Sequence, residues 1–414
     1  MVLSNAAGSP RRPVIIISLI TAACLLGDSM LYIVLPLHWK EAGLTSLWEV
    51  GILLSVNRVI RLPLNPLVGW IYKKISSFSG VMLALMLAVC TTFSYGFAKG
   101  FALWFALRCI WGIAWTFLRL GGFYTVLDAA SENNRGHFMG LYNGLYRLGS
   151  LGGMLIGGIM ADIYGIGITS VLFGTATMLA IPFAYALITD SKVHEEVEKP
   201  APAFSIKLNS DICWTLLTGL TIAMIYQGVF TATLSHLVQA HISPTVNIFT
   251  GIIGAASVAG ILQALRWGWE PWLAPRFGRI SDGRFGRKTM LAVTMLTAAL
   301  LFSLISLNMP TMLWLLLILA ILLTATILTT LADTVACDVA FYAPPKAFMT
   351  VYSFSIDLGA AMGPVIGYTL NAVWGPYAVY WCMALILFCL GIKWIARPIS
   401  IYSPSYSGRN PDCA

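Results

Sequence analysis

Apolar residues run through this chain in blocks of about 20 to 28, each long enough to cross a hydrocarbon core of roughly 30 Å as a helix. Twelve such blocks can be drawn, at 13–37, 46–71, 79–98, 101–128, 138–163, 166–189, 212–238, 247–272, 288–307, 311–338, 347–372 and 376–397. The polar intervals between them are short, with one exception. Asp190 to Ser210, DSKVHEEVEKPAPAFSIKLNS, is charged and proline-containing and reads as a flexible linker. The pattern predicts an all-α membrane protein with twelve transmembrane helices. It divides into a six-helix half at 1–189, a linker at 190–210, a second six-helix half at 211–397 and a tail at 398–414.

Composition agrees with the pattern. Of 414 residues 58% are hydrophobic and 10% charged, where a soluble domain carries about 25% charged residues. The net charge of +8 does not point to nucleic acid, because the cations gather in the short loops of one side. With the N-terminus inside, the inner segments hold Arg11, Arg12, Lys73, Lys74, Arg135, Lys192, Lys199, Lys207, a cluster from Arg276 to Lys288, Lys346, Arg397 and Arg409. The outer loops hold Lys40 and Lys99. Clustered Lys and Arg resist translocation, so both termini are expected in the cytoplasm. The apolar run after Arg12 is too long for a signal peptide, lacks a small-x-small cleavage site and continues into Asp28, which makes it a first span.

The chemistry that other function classes need is missing from the sequence. Its eight cysteines include no CxxC and no Cys/His cluster, and its five histidines are scattered, so neither a disulfide framework nor a metal site is expected. There is no HExxH, no DxxxD lipid-phosphate motif, no nucleophile elbow and no sizeable soluble domain for a membrane enzyme. No GxxxxGK[ST] is present for direct use of ATP. No cofactor is expected.

The two halves repeat one another. The fifth span reads Gly149-x-x-x-Gly153-Met154-x-x-Gly157-Gly158 and the eleventh reads Gly359-x-x-x-Gly363-Pro364-x-x-Gly367. Each follows a loop with one cation, Arg135 or Lys346, and an aspartate, Asp128 or Asp338, seven or eight residues earlier. Small residues at this spacing let membrane helices approach closely. Paired repeats are one way of building alternating access.

A sharper signal lies in the basic loop Gly278 to Lys288, GRISDGRFGRK. It closely resembles the loop signature of the major facilitator superfamily of transporters, G-x-x-x-D-R-x-G-R-R/K, with Gly283 as an extra residue. Arg108-x-x-Trp111-Gly112 is similar to the family's R-x-x-Q-G element. Asp28-Ser-Met-Leu-Tyr-Ile-Val-Leu-Pro36 resembles the first-span element of drug-exporting members. The Gly-rich runs of spans five and eleven look like the G-x-x-x-G-P-x-x-G-G element of proton-driven antiporters. Two departures stand out. The first-half loop, GWIYKKISSFSG, has Lys73 where the family has Asp. Met154 replaces the span-five proline, and the intact Gly-Pro sits in span eleven. The resemblance implies the fold of that superfamily, with span two beside span eleven and span five beside span eight.

Ionisable residues deep in a membrane cost at least about 2.5–3.5 kcal/mol each and tend to be paired, cavity-facing and functional. Counting helix rise at about 1.5 Å per residue, Asp28 and Arg108 fall at the same level in the outer half. They are expected to pair, with Asp28 taking up and releasing a proton. Relative to the repeat, Arg147 and Asp357 are equivalent positions of opposite charge, and so are Arg61 and Glu270. With the neighbours the family implies, Arg61 meets Asp357 and Arg147 meets Glu270, a charge-swapped latch between the halves. Asp282, held by loop arginines and a helix N-terminus, belongs to the same gating machinery. Arg58, Arg119, Asp333, Trp111, Trp115 and Tyr226 are candidates for a substrate cavity, and Arg266 is a further buried charge. Phe117, Phe123, Tyr124, Tyr142, Tyr146, Trp267 and Trp269 add aromatic surface suited to an organic solute.

The expected function is secondary active transport of a small organic solute, with protons as coupling ion and export as direction, by a monomer in a bacterial inner membrane. Proton symport or facilitated uptake of a nutrient or vitamin is the alternative within transport. A transport-dead sensor or scaffold is the alternative of another class. The latch has its own test. Arg61→Asp and Asp357→Arg are each expected to impair transport, and the double reversal to restore a substantial part. A double variant no better than either single change would dismiss the pairing.

Overall fold

A computed structural model describes residues 11–72, 74–129, 135–187, 209–241, 254–281, 286–340, 345–375 and 377–396. Among these residues every regular element is a helix. The elements are α1 (Arg11–Val34), α2 (Leu47–Val59), α3 (Arg61–Tyr72), α4 (Ser77–Ser94), α5 (Phe101–Ala129), α6 (Arg135–Met178), α7 (Ala180–Leu187), α8 (Ser210–Ile222) and a π-helical stretch (Ala223–Phe230). They continue with α9 (Thr231–His241), α10 (Ala255–Ser281), α11 (Arg287–Leu304), α12 (Thr311–Ala340), α13 (Pro345–Trp374) and α14 (Ala378–Ala396).

Among the described residues each apolar block of the sequence falls on one of these helices or on two or three consecutive ones. Where one block gives two helices, a residue accounts for the break. Span two divides at Ile60 because Pro63 cannot donate to the Val59 carbonyl and its ring crowds that group. Ile60 stays right-handed helical (φ −63°, ψ −26°), so the chain kinks without reversing. Spans five and six share α6 and part at Gly165, whose φ of 76° is open to glycine. Glu41 Oε2 accepts from the Ile166 N–H at 3.4 Å just beyond that break, placing a carboxylate at the positive end of the next helix. Span seven is α8, the π-helical stretch and α9 in succession. The wide π turn is uncommon and recurs at functional sites in membrane and soluble helices alike.

Eight helical segments among the described residues are long and apolar enough to cross a membrane. One of them, Leu141–Pro182, is two spans, since its 42 residues would measure about 63 Å as a single helix. Span two escapes that test through its kink. Spans eight and eleven are diluted by polar residues, α10 carrying Arg266, Glu270, Arg276 and Arg279, and α13 carrying Asp357.

The helices gather in two compact units, one formed by Met1–Glu198, Val229–Gly268 and Pro364–Ala372, the other by Lys199–Gly228, Trp269–Gly363 and Val373–Ala414. In the first, α1 lies along α6 with almost no side chain between them. A Cβ on Gly149 would land on the backbone of Ala22, one on Gly153 on the backbone of Leu26, and one on Gly157 on Met30. The register steps by four on both helices, so three glycines form a groove that one ridge of α1 fills. Around this contact Ile17, Leu85, Trp111, Leu118 and Tyr142 pack into a buried cluster. In the second unit Gly359 meets the backbone of Leu220, and Gly228 that of Gly363. The Gly-rich element of span eleven thus faces span seven as that of span five faces span one. Ile212, Ala336, Val339, Phe348 and Tyr352 form a smaller core there. Leu19, Leu148, Leu316 and Leu385, each more than half exposed, turn apolar surface outward, as a lipid-facing helix does.

The glycine groove makes a prediction. Gly153→Val forces a branched side chain into the Leu26 backbone and is expected to cost about 1–3 kcal/mol, seen as a lower thermal midpoint in detergent. Gly144→Ala, on the same helix with nothing within 4 Å of its Cβ position, is expected to leave the midpoint unchanged or raise it. Equal midpoints for both variants would show that α1 and α6 are not in contact as described.

Candidate functional site

Three helices of the first unit build a charge cluster. Asp28 on α1 and Arg108 on α5 are 6% and 0% exposed, and Arg108 Nη1 lies 2.5 Å from Asp28 Oδ1. Arg108 Nε donates to the Leu53 carbonyl of α2 at 3.0 Å, and Asn57 Nδ2, also on α2, donates to Asp28 Oδ1 at 3.2 Å. The sequence placed these two charges at one level, and the structure brings them together.

The cluster is not fully satisfied. Arg108 Nη2, Asn57 Oδ1 and the Tyr95 hydroxyl are buried and find no hydrogen-bond partner among the described residues. Tyr95 stacks on Trp104 with ring centroids 4.9 Å apart, which holds its position at the C-terminal end of α4. Buried polar groups are nearly always paired, by water where protein is lacking. Three orphans around one ion pair therefore mark a place for water or a polar ligand atom. Neither Asn57 nor Tyr95 carries a charge pattern that sequence reading could have seized on, although Asn57 adjoins Arg58.

The same unit also carries arginines stacked on aromatic rings. Arg58 Nε donates to the Tyr32 hydroxyl at 3.1 Å. Arg61 sits 5.3 Å from the centroid of Trp115, and Arg119 sits 5.7 Å from that of Phe123. Between them the rings are continuous. Trp115 meets Tyr146 at 5.9 Å, Tyr146 meets Tyr142 at 5.1 Å, and Tyr142 meets Phe123 at 6.1 Å. On α10 Trp267 lies between two guanidinium groups, Arg147 at 5.5 Å and Arg266 at 5.2 Å. Arg58, Arg61, Arg119, Trp115, Phe123, Tyr146 and Trp267 are all partly exposed, and Arg147 is exposed. Cation–π contacts of this kind strengthen when water is scarce.

Other expected cavity residues stand elsewhere. Trp111 is fully buried in the core of the first unit. Tyr226 is buried in the π-helical stretch, where its hydroxyl is 2.9 Å from Thr324 Oγ1. Asp333 is exposed on α12 and accepts from the Tyr352 hydroxyl at 2.9 Å. Of the latch residues, Arg61 and Arg147 belong to the first unit and Asp357 and Glu270 to the second. Asp282 lies outside the described residues. Arg287 of the basic loop forms an ion pair with Asp338 near the C-terminal end of α12. Among the described residues no group of three or more His, Cys, Asp or Glu side chains could hold a metal ion.

One contact was not expected from the sequence. Asp162, near the outer end of span five, accepts from the Ser257 backbone N–H at 2.8 Å and from its hydroxyl at 2.5 Å. A carboxylate from α6 thereby caps the N-terminus of α10, the task usually given to a residue of the capped helix itself. The available signal was an aspartate in an otherwise Gly-rich run, with a Gly-Ala-Ala-Ser start to span eight.

The profile of the Major Facilitator Superfamily matches residues 17–281. The chain is 26% identical over 388 residues to the multidrug resistance protein MdtG of Escherichia fergusonii, covering 87% of this chain and 88% of that one. It is 24% identical over 274 residues to the staphyloferrin B transporter of Staphylococcus aureus, covering 65% of each. Among solved structures, a bacterial homologue of the human lysosomal transporter Spinster, in an inward-facing and unoccupied conformation, aligns with a TM-score of 0.71 over 95% of this chain and 96% of that one, at 12% identity. That likeness concerns the fold.

The buried pair predicts an order of stabilities. Arg108→Met strands the Asp28 carboxylate and is expected to cost about 3–5 kcal/mol, whereas Asp28→Leu with Arg108→Met removes both charges and recovers most of the loss. The readout is the thermal midpoint and the monodisperse fraction after extraction. A double variant no more stable than Arg108→Met would dissolve the pair.

Proposed function

This chain belongs to the major facilitator superfamily, and on that premise we propose that it exports a small organic solute by alternating access, driven by protons that enter through Asp28. Membership makes it a multi-pass membrane transporter of small molecules. Export and proton coupling are the proposal.

The observation that carries it is the incompletely satisfied pair of Asp28 and Arg108. An ionised Asp28 is held by Arg108 Nη1 and Asn57 Nδ2. A proton on that carboxylate cancels the attraction and leaves a buried guanidinium that must find another acceptor. Arg108 Nη2, Asn57 Oδ1 and the Tyr95 hydroxyl suit a short file of water that delivers the proton from outside. Protonation therefore changes the charge state at the meeting point of α1, α2 and α5, and those helices link it to the rest of the first half. One relative is named a multidrug resistance protein, and resistance achieved by removing a compound from the cell is what supports export as the direction.

The moving bodies are the halves 1–189 and 211–397, joined by the linker 190–210 and followed by the tail 398–414, with both termini in the cytoplasm of a bacterial cell and the chain acting as a monomer. The inner gate is assigned to Arg61, Asp357, Arg147, Glu270 and Asp282. The substrate surface is assigned to Arg58, Trp115 and Arg119, with Asp333 as a second acidic group. One observation favours a second reading, proton-coupled uptake. Span five has Met154 where antiporters of the family resemble one another in having proline, and the Gly-Pro stands in span eleven.

Proteoliposomes loaded with a pH-sensitive dye separate the readings. On imposing a substrate gradient across vesicles, antiport moves protons against the substrate and symport moves them with it. Asp28→Asn is expected to lower proton movement at least tenfold while substrate exchange at equal pH persists. Proton movement unchanged in Asp28→Asn would remove that residue from coupling. No proton movement in the unmodified protein would leave facilitated diffusion.

A further inference from the structure

Two of the orphaned atoms around Asp28 and Arg108 are complementary. Arg108 Nη2 is a donor, and the Tyr95 hydroxyl has an oxygen that can accept. Both are buried without a hydrogen bond among the described residues, although the Tyr95 hydroxyl stands beside the Arg108 guanidinium and beside Thr91. Joining donor to acceptor would meet two buried needs at once.

The surroundings fix which way that hydroxyl works. Thr91 Oγ1 spends its proton on the Leu87 and Ala88 carbonyls, at 2.8 and 3.1 Å, so toward Tyr95 it can only accept. The Tyr95 proton can go there, which leaves the phenol oxygen for a guanidinium. The ring is held in place. It lies on Trp104 with the planes 3° apart, and Trp104 is itself fully buried and donates from Nε1 to the Ala98 carbonyl at 3.2 Å. Trp104 and Arg108 are four residues apart and share one face of α5, so the stack keeps the hydroxyl near the cation. Gly27, next to Asp28, lets α4 come this close to α1, since a Cβ there would lie 2.3 Å from Thr92.

Other oxygens in reach are already engaged. The Leu53 carbonyl takes Arg108 Nε, and the Tyr32 hydroxyl accepts from Arg58 Nε at 3.1 Å. Ionisable groups on the elements packed around Asp28 are few. Among the described residues α5 brings Arg108 and Cys109, α4 brings Tyr95, and α2 brings Arg58 by way of Tyr32. On α1 itself Cys24 and Tyr32 lie one turn to either side, and α9, which also touches α1, carries His236. The stretch of α6 from Gly149 to Gly157 that meets α1 holds none.

We propose that Tyr95 is a positioning residue for the proton site, the acceptor to which Arg108 turns when Asp28 carries a proton. This rests on the coupling reading above and supplies the second acceptor that reading requires. With Asp28 ionised, Nη1 binds its carboxylate and α1 is tied to α5. A proton taken by Asp28 from water leaves the pair with one net positive charge, and Nη2 closes on the Tyr95 oxygen. α5 then exchanges a bond to α1 for a bond to α4, while the Leu53 carbonyl keeps α2 in place. The proton decides which helix α5 holds.

The test needs no cargo. Full-length protein in lipid nanodiscs is titrated from alkaline to acid pH by infrared difference spectroscopy, and the protonated-carboxyl band that Asp28→Asn lacks reports Asp28. Tyr95→Phe keeps the ring and its stack and removes the oxygen. The hydroxyl favours the protonated form, so its loss is expected to move the midpoint of that band about one pH unit to acid. Stability gives a second readout. The support from Tyr95 is present below the midpoint and absent above it, so Tyr95→Phe is expected to lower the thermal midpoint at acid pH. At alkaline pH, where the hydroxyl is an orphan, it is expected to leave that midpoint unchanged or raise it. A purely structural tyrosine would cost the same at both, and an equal loss at both overturns the proposal. So does a band midpoint in Tyr95→Phe that moves less than about 0.3 unit or moves to alkaline pH, which gives the part of acceptor to Asn57 Oδ1 or to water. If Tyr95→Phe does not fold, Thr91→Val decides: an acid shift of about half a unit is expected, and no shift overturns the proposal. The coupling reading fails separately. A shifted band in a protein that moves no protons in proteoliposomes would sink coupling and leave the Tyr95 acceptor standing. An Asp28 band with its midpoint unmoved in Tyr95→Phe sinks the Tyr95 role alone.

Discussion

A guanidinium that cannot reach water has to be answered inside the protein, and Arg108 is answered by three helices at once. Its Nη1 meets Asp28 of α1, its Nε meets the Leu53 carbonyl of α2, and its own backbone belongs to α5. Removing any one of these contacts leaves a buried charge or a buried carbonyl short of a partner. The spacing of α1, α2 and α5 around this pair is therefore set by hydrogen-bond length, with little room for the sliding that purely apolar contacts allow. On its opposite side α1 is fitted into the glycine groove of α6. It is held by charge on one face and by shape on the other.

One broad stripe of α5 joins the two chemistries of the first unit. Trp104, Arg108, Trp111, Trp115 and Arg119 recur at intervals of three or four and so share a side of the helix. At the outer end of the stripe Trp104, Arg108 and Trp111 are 0% exposed. At the inner end Trp115 and Arg119 are partly exposed. Under the proposed coupling, a proton on Asp28 changes what Arg108 meets, and α5 is a single element that joins Arg108 to the ring-lined surface about two to three turns away. Coupling between proton and solute then needs no chain of small displacements. It needs one helix whose two ends feel different surroundings.

The large features of this arrangement were legible in the sequence. Block length and loop charge identify the spans, the repeated Gly-rich element identifies α6 and α13 as counterparts, and helix rise alone puts Asp28 level with Arg108. What was not legible has a common cause. The kink at Ile60 follows from Pro63, yet a proline in an apolar block also occurs in straight helices, so the sequence does not decide it. Asn57 and Tyr95 act through which way a neutral side chain faces, and periodicity is blind to that at the ends of helices. Asp162 is separated from Ser257 by ninety-five residues, and its role depends on a neighbour that local pattern cannot name. Asp282, read from the loop signature, lies outside the described residues. The fold was in the pattern; the contacts that join distant helices were only partly so.

The pairing of Asp28 with Arg108 also has a history in time. The two residues are 80 positions apart, and a ribosome adds about 5–20 residues per second. Between the making of one partner and the making of the other, roughly 4–16 s pass on that estimate. During that interval the first span exists with its carboxylate and without the cation that answers it, and without the glycine groove of α6, which is made later still. A helix in that condition enters lipid with the cost of its carboxylate, about 2.5–3.5 kcal/mol, still unanswered. The order of helices along the gene thus sets how long that carboxylate waits in the first span for the cation that answers it.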